Sequence, residues 1–135
     1  MEKVYQSKFI GMFYDPETSM HVAIWTAKSA DMDEETYRQE MQAWANTIVE
    51  SGARHLFVNS RDFSYTIAPE TQNWIVENLF TAITKAGARK MAFLVSEDMI
   101  AHLSIEQAVE EDTVGLLAVN YFDDEENART WLIQD

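Results

Sequence analysis

The alternation of apolar and polar positions at the start of the chain predicts two β-strands joined by a short turn. Residues 4–14 alternate over their whole length, and residues 19–27 alternate again, with Met20 and Val22 on one face. Between the two stretches lies a polar turn, in which Pro16 occupies a position that proline favours. Because the connection is short, the pattern predicts an antiparallel hairpin.

Helical spacing and short apolar runs alternate along the rest of the chain. Two amphipathic stretches are expected to end at Gly52 and Gly87, within the similar phrases 51–54 and 86–89. Strands that are separated by helices pair in parallel through right-handed crossovers. The expected elements are strands at 54–59, 90–95 and 116–122, and helices that begin near Asp31, Pro69, Ser96 and Asp123.

This order of elements predicts a single α/β domain over residues 1–135. The expected sheet is mixed, with about five strands: an N-terminal antiparallel hairpin followed by parallel β-α units, with about four helices packed on it. A chain of 135 residues is long enough to bury one sizeable core.

Composition narrows the classes of function. The formal net charge of −13 disfavours a nucleic-acid partner and an anionic membrane surface, since both recruit Lys and Arg. The chain has no cysteine, which excludes disulfides and thiolate chemistry. No apolar run approaches the roughly 18 residues that span a membrane, and the N-terminus lacks a signal-peptide core. We therefore expect a cytoplasmic protein with no membrane insertion.

No catalytic or metal-binding motif stands out. His21, His55 and His102 are scattered, without the spacing of metal ligands, and no Gly-x-Ser-x-Gly elbow is present. The carboxylates of residues 31–40 and 123–126 are expected to be solvated helix starts. The sequence thus predicts a protein without metal, cofactor or catalytic residues.

The end of the chain carries a family resemblance. Residues 121–132 run from a strand through an aromatic residue and an acidic turn into a helix with alanine and an apolar pair. Together with the element order, this ending resembles the STAS fold of anti-sigma-factor antagonists and its lipid-transfer-like branch in small bacterial proteins. In regulatory members, the loop after the strand matched by residues 56–59 carries Asp, a phosphorylatable Ser or Thr, and Gly. This chain lacks that pattern, which favours the lipid-transfer-like branch.

The loop between Asn59 and Pro69 is the predicted functional site. It follows the carboxyl end of an expected parallel strand, where ligands of open α/β sheets collect beside helix N-termini. Ala68 is a poor helix cap, so the following amides are free unless Ser64 or Thr66 caps them. The residues expected to bind a ligand or partner are Asn59, Ser60, Arg61, Phe63, Ser64, Tyr65, Thr66 and Trp74.

The leading hypothesis is the non-catalytic regulatory or protein-interaction module that the resemblance implies. Its contact surface would be the loop at residues 60–74 and the start of the following helix, and a protein partner is expected. Ser64 and Thr66 are the candidate phosphoacceptors, since a phosphate would add about two negative charges beside Arg61. A homodimer through an exposed apolar face is equally compatible with the sequence.

Two alternatives stay open. The second hypothesis is a small binding protein for an apolar or lipid-like ligand. The third is a small hydrolase or isomerase, which requires His55 or His102 to meet a serine or carboxylate. A fully packed site would count against the second hypothesis, and the finding that would favour it is a cavity lined by Phe63, Tyr65, Trp74 and Ile75.

Overall fold

A mixed sheet forms the centre of the protein, whose computed structural model describes residues 1–96, 112–114 and 117–134. The helix predicted after Ser96 lies outside the described residues. Within them the sheet has seven strands. These are β1 (Glu2–Gln6), β2 (Ile10–Asp15), β3 (Met20–Trp25), β4 (His55–Asn59), β5 (Lys90–Leu94), β6 (Asp112–Val114) and β7 (Leu117–Phe122).

The pairing of the strands matches the predicted mixed sheet. Strand order is β1-β2-β3-β4-β5-β7-β6. Strands β1, β2 and β3 pair antiparallel, whereas β3, β4, β5 and β7 form a parallel series. Strand β6 closes the described sheet by pairing antiparallel with β7. The hairpin followed by parallel β-α units is therefore confirmed.

Helices cover both faces of the sheet. Helix α1 is Glu34–Ser51, and a short 3-10 turn, Ala27–Asp31, precedes it. The composite helix α2 comprises an α-helical segment Pro69–Trp74, a π-helical segment Ile75–Phe80 and an α-helical segment Thr81–Lys85. The last helix, α3, is Glu125–Ile133. Helices α1 and α2 pack on one face, and α3 packs on the other.

The first predicted strand is wrong, because residues 4–14 form two strands. Ser7 breaks the run: its Oγ accepts hydrogen bonds from the backbone N–H groups of Phe9 (3.1 Å) and Ile10 (3.3 Å). Such a side-chain turn competes with a continuous strand. The break also resets the alternation, so that Tyr5 packs against the same apolar cluster as Ile10. This break and the additional strand β6 explain why the described sheet has seven strands, whereas about five were expected.

The last helix begins at Glu125, just after its predicted start near Asp123. Asp124 is the N-cap, and its carboxylate accepts from the backbone N–H groups of Glu126 (2.7 Å) and Asn127 (3.4 Å). Those amides would otherwise lack partners in the first turn. The prediction that acidic residues begin this helix is therefore confirmed.

The two Gly-Ala-Arg phrases lie together at the amino-terminal edge of the parallel strands. Gly52 ends α1 with φ 68°, and Gly87 follows α2 with φ 124°. The phrases are hydrogen-bonded to each other, since Arg89 N donates to Arg54 O over 3.0 Å. They end helices as predicted, and they lie opposite the loop at residues 60–68.

Replacing Gly87 by alanine is expected to cost about 1–3 kcal/mol of unfolding free energy, because φ 124° is strained for any residue with a Cβ. Gly52→Ala should cost about 1–2 kcal/mol, since its left-handed conformation is less restrictive. Gly11→Ala is the matched control, because Gly11 has no positive φ. Urea unfolding measures all three. Equal stability of the Gly87 and Gly11 variants would contradict this account.

Candidate functional site

An apolar cavity of about 330 Å³ lies between the sheet and helices α1 and α2. Both helices supply apolar side chains to it because each turns its predicted apolar stripe towards the sheet. The stripes leave a gap where they face the carboxyl ends of the parallel strands. The helical lining residues are Tyr37, Met41 and Trp44 from α1, and Gln72, Ile75, Val76 and Phe80 from α2.

The floor of the cavity is one face of the parallel strands. Val58 of β4 pairs with Phe93 of β5, and Phe93 pairs in turn with Tyr121 of β7, so the three side chains form a row across the sheet. The rings of Phe93 and Tyr121 stack with centroids 5.2 Å apart. Residues at equivalent register positions share a face. The remaining floor residues are Trp25, Met91 and Val95.

The loop at residues 60–68 closes the cavity at the carboxyl edge of the sheet. Ser60, Phe63 and Ile67 contribute to the lining. Phe63 packs on Trp25 with ring centroids 4.9 Å apart. Ser60 N donates to Leu94 O over 2.8 Å, which ties the loop to β5. The loop is thus an anchored wall of the cavity.

The π-helical segment of α2 shapes the wall opposite the floor. A π-helix bonds residues five apart, which brings positions i and i+5 to the same side. Ile75 and Phe80 are separated by five residues, and both line the cavity. Phe80 also meets Trp44 with ring centroids 6.3 Å apart. The wider turn therefore directs two large apolar side chains to one space, and such turns are frequent at functional sites.

The cavity carries no charge. None of the lining residues in the described part of the chain is Asp, Glu, Lys, Arg or His. Gln72 and Val76 are exposed as well as lining, so they mark where the cavity meets solvent. The space therefore suits an uncharged apolar molecule that enters beside α2.

Several of the predicted site residues support the loop without lining the cavity. Asn59 Oδ1 accepts from Arg61 N over 3.2 Å, and the Arg61 guanidinium donates to Asp123 O over 2.6 Å. Ser64 N donates to Ser29 Oγ over 3.0 Å. These contacts join the loop to β7 and to the turn before α1, so these residues hold its shape.

Two predicted aromatic residues lie behind the cavity wall. Tyr65 stacks on Tyr37 with ring centroids 4.7 Å apart. Trp74 is half-buried, and the Arg38 guanidinium lies 5.0 Å from its ring centroid. Of the four residues expected to line an apolar cavity, only Phe63 and Ile75 do so. Tyr65 and Trp74 pack on α1 instead, because α1 crosses over the loop and the start of α2.

The candidate phosphoacceptors stay a prediction. Ser64 and Thr66 are exposed, and neither side chain caps α2. Ala68 is the N-cap residue and provides no side-chain hydrogen bond, as its apolar side chain implies.

Sequence reasoning missed most of the cavity lining. Trp44 is 3% exposed, so it belongs to the core, and it also lines the cavity. An available signal was the row of large side chains on one face of neighbouring parallel strands, Phe93 and Tyr121 among them. Such a row predicts that this face of the sheet is buried. Whether a cavity remains above it depends on how the side chains pack in three dimensions.

The buried polar or charged residues among those described lie outside the cavity lining; they are His21, Ser29, Glu40 and Thr71. His21 is fully buried, and burial lowers its pKa to about 4. His55 Nδ1 lies 2.7 Å from Thr18 O, a backbone partner, whereas His102 lies outside the described residues. The described residues hold no group of three or more potential metal ligands.

The expectation that residues 31–40 are all solvated is wrong at Glu40. This side chain is 4% exposed and accepts hydrogen bonds from the hydroxyls of Tyr5 and Ser7. Both donors lie on the N-terminal hairpin, which packs against α1. A buried carboxylate needs such partners because it loses its hydration.

Comparison with known proteins returned no match among family models, curated proteins or solved structures. The STAS resemblance therefore stays a prediction from the sequence. In the described parts of the chain, no helix is both long enough and apolar enough to cross a membrane.

Proposed function

We propose that this protein is a non-catalytic binding protein for an uncharged apolar small molecule, which occupies the cavity between the sheet and helices α1 and α2. The observation that carries the proposal is the cavity itself. Its volume of about 330 Å³ falls within the range of ligand sites. Its lining is aromatic and aliphatic with few polar groups, as in most such sites.

A packing defect is a poor alternative explanation for a space of this size. The cavity meets solvent beside Gln72 and Val76, so it is a pocket that a ligand can enter and not a sealed void within the core. At about 30 Å³ for each molecule of liquid water, this cavity corresponds to roughly ten waters. An apolar space of that volume favours an apolar occupant, because burial removes the occupant's surface from water.

The position of the cavity also supports a ligand site. It lies at the carboxyl ends of β4 and β5, the edge at which open α/β sheets collect ligands. The loop that closes it is anchored to both β5 and the turn after β7 through Ser60 and Arg61. A site whose walls are held by hydrogen bonds loses less entropy when a ligand binds.

A filled cavity should no longer bind a probe. Val76 lines the cavity and is 40% exposed, so a larger side chain there can enter the space from its rim. We expect Val76→Trp to weaken binding of the uncharged dye N-phenylnaphthylamine about tenfold or more, since overpacking costs about 1–3 kcal/mol. Dye fluorescence titrated with protein measures the affinity.

Val49→Trp is the matched control, because Val49 is a helical valine of similar exposure, 44%, that does not line the cavity. Its affinity for the dye should equal that of the wild type. A wild-type protein that does not bind the dye, or equal binding by the Val76 and Val49 variants, would overturn the proposal. If the cavity binds such a ligand in the cell, native mass spectrometry of protein from its own cell should reveal a co-purifying apolar molecule.

We further propose that the chain is related to the lipid-transfer-like branch of the STAS fold and acts in the cytoplasm. The order β-β-α-β-α-β and the closing helix α3 support the relationship. The departure is that Ser7 divides the first strand of the N-terminal hairpin into β1 and β2. The acidic composition supports the location. Binding of a protein partner at the loop at residues 60–68 is the second candidate function, because this loop forms a wall of the cavity.

A further inference from the structure

We infer that the ligand of this cavity is an uncharged planar ring system that carries a hydrogen-bond acceptor, such as a carbonyl oxygen, which meets the hydroxyl of Tyr37. The inference rests on the proposed binding function and specifies its ligand class. It follows from hydrogen-bond donors around the cavity that have no partner among the described residues.

Three lining residues that are almost fully buried carry such donors. Tyr37 is 2% exposed, Trp44 is 3% exposed and Trp25 is 5% exposed. Over the described residues, no hydrogen-bond acceptor lies within reach of the Tyr37 hydroxyl or of either indole N–H. Buried tyrosine and tryptophan usually find a partner for these groups. Three exceptions around one cavity therefore require an explanation.

These donors adjoin open space. Among the fully enclosed side-chain nitrogen and oxygen atoms of the described residues, His21 Nδ1 alone lacks a partner. The Tyr37 hydroxyl and the indole N–H groups are therefore not fully enclosed, although their residues are almost entirely buried. All three residues line the cavity, so the proposed acceptor is placed there.

Tyr37 is the best placed of the three donors. Its ring is fixed by Tyr65, which stacks on it at 4.7 Å, and by Phe63 at 6.0 Å. Burial raises its pKa, so the hydroxyl keeps its proton and acts as a donor at neutral pH. A fixed donor in an apolar wall selects for an acceptor at one position of the ligand.

The lining excludes charged ligands. An anion would leave water for a space without a cation, inside a protein of net charge −13. A cation would meet aromatic ring faces, which attract it, but also three N–H or O–H groups that present positive hydrogen atoms. Stacked rings such as Phe93 and Tyr121 favour a flat molecule.

Fluorenone and fluorene provide the test, because these tricyclic molecules differ by one carbonyl oxygen. Each would be titrated against the bound dye N-phenylnaphthylamine in the wild type and in Tyr37→Phe. We expect the substitution to weaken fluorenone binding about three- to tenfold, the effect of one hydrogen bond. Fluorene and the dye should bind both proteins equally. The Tyr37 hydroxyl has no hydrogen-bond partner in the part of the chain that the structure describes, so its removal should leave the fold intact, which thermal unfolding checks.

The outcomes separate this inference from the proposed function. Equal effects of Tyr37→Phe on fluorenone and fluorene, with both molecules bound, would overturn the ligand class and leave the binding function standing. Tighter binding of phenyltrimethylammonium than of fluorenone would also overturn it, because ring faces would then select a cation. Failure of every probe to bind the wild type would overturn both proposals.

Discussion

Acidification from pH 7 to pH 5 is expected to remove about 2 kcal/mol of unfolding free energy through His21 alone. Burial lowers the pKa of His21 to about 4 in the folded protein, against about 6.5 in the unfolded chain. The unfolded state therefore binds the proton first. Stability from this residue is complete above about pH 6.5 and decreases as the pH falls towards 4.

The surroundings of His21 explain why protonation is unfavourable. Its Nε2 lies 2.8 Å from Thr47 Oγ1. The Thr47 hydroxyl donates to Trp44 O over 3.0 Å, so it is left to accept from His21 Nε2–H. The other nitrogen, Nδ1, is enclosed without a partner. A second proton there would place an N–H and a positive charge where no described acceptor meets them.

His21→Leu should remove this pH dependence, because leucine is apolar and does not titrate. The measurement is the urea unfolding free energy of both proteins from pH 7 to pH 5. Carboxylates titrate in both, so the difference between the two curves isolates His21. A constant difference over that range would show that His21 has an ordinary pKa, against this account.

Tyr5→Phe is expected to destabilise the protein by about 1–3 kcal/mol at neutral pH, because it leaves a buried carboxylate short of one donor. The Tyr5 hydroxyl donates to Glu40 over 2.5 Å, and this bond is the main cause that raises the pKa of Tyr5 to about 12. Since the folded pKa exceeds the unfolded value of 10, the stabilisation is complete below pH 10 and decreases as the pH rises towards 12.

Two further variants test this cause. Tyr14→Phe is the matched control, since Tyr14 is a half-buried tyrosine on the adjacent strand with no side-chain hydrogen bond in the described residues. It should change stability by less than about 0.5 kcal/mol. Glu40→Met should restore most of the loss in the Tyr5→Phe background, because it removes the unpaired charge. An additive double variant would contradict the coupling.

The order of strands and helices could be predicted from the sequence because it depends on local periodicity. The parallel series β3-β4-β5-β7 follows from apolar runs separated by helices, and Gly52 and Gly87 end helices as expected. The division of the first strand could not be predicted in the same way. It depends on the hydrogen bonds of one serine side chain, Ser7, within a stretch that alternates throughout.

The location of the site was partly predictable, and its nature was not. The crossover rule places the loop at residues 60–68 beside the carboxyl ends of the strands, where Phe63 does line a cavity. The cavity arises because side chains from six helices and strands and from the loop at residues 60–68 fail to fill their common space. No local sequence pattern indicates such a gap. Similarly, Glu40 is hydrogen-bonded to Tyr5 and Ser7, which are 35 and 33 residues away in the sequence. The acidic residues near Glu40 in the sequence therefore wrongly predict that its side chain is solvated.

The central claim is that a small molecule occupies this cavity. Its most direct test is a crystal structure of the protein grown with bromofluorenone, whose bromine gives an anomalous signal that locates the molecule. We predict an anomalous peak within the cavity, among Trp44, Phe80 and Met91, with the carbonyl oxygen in hydrogen-bond contact with the Tyr37 hydroxyl. A bromine peak confined to the outer surface, with the cavity unoccupied, would contradict the claim.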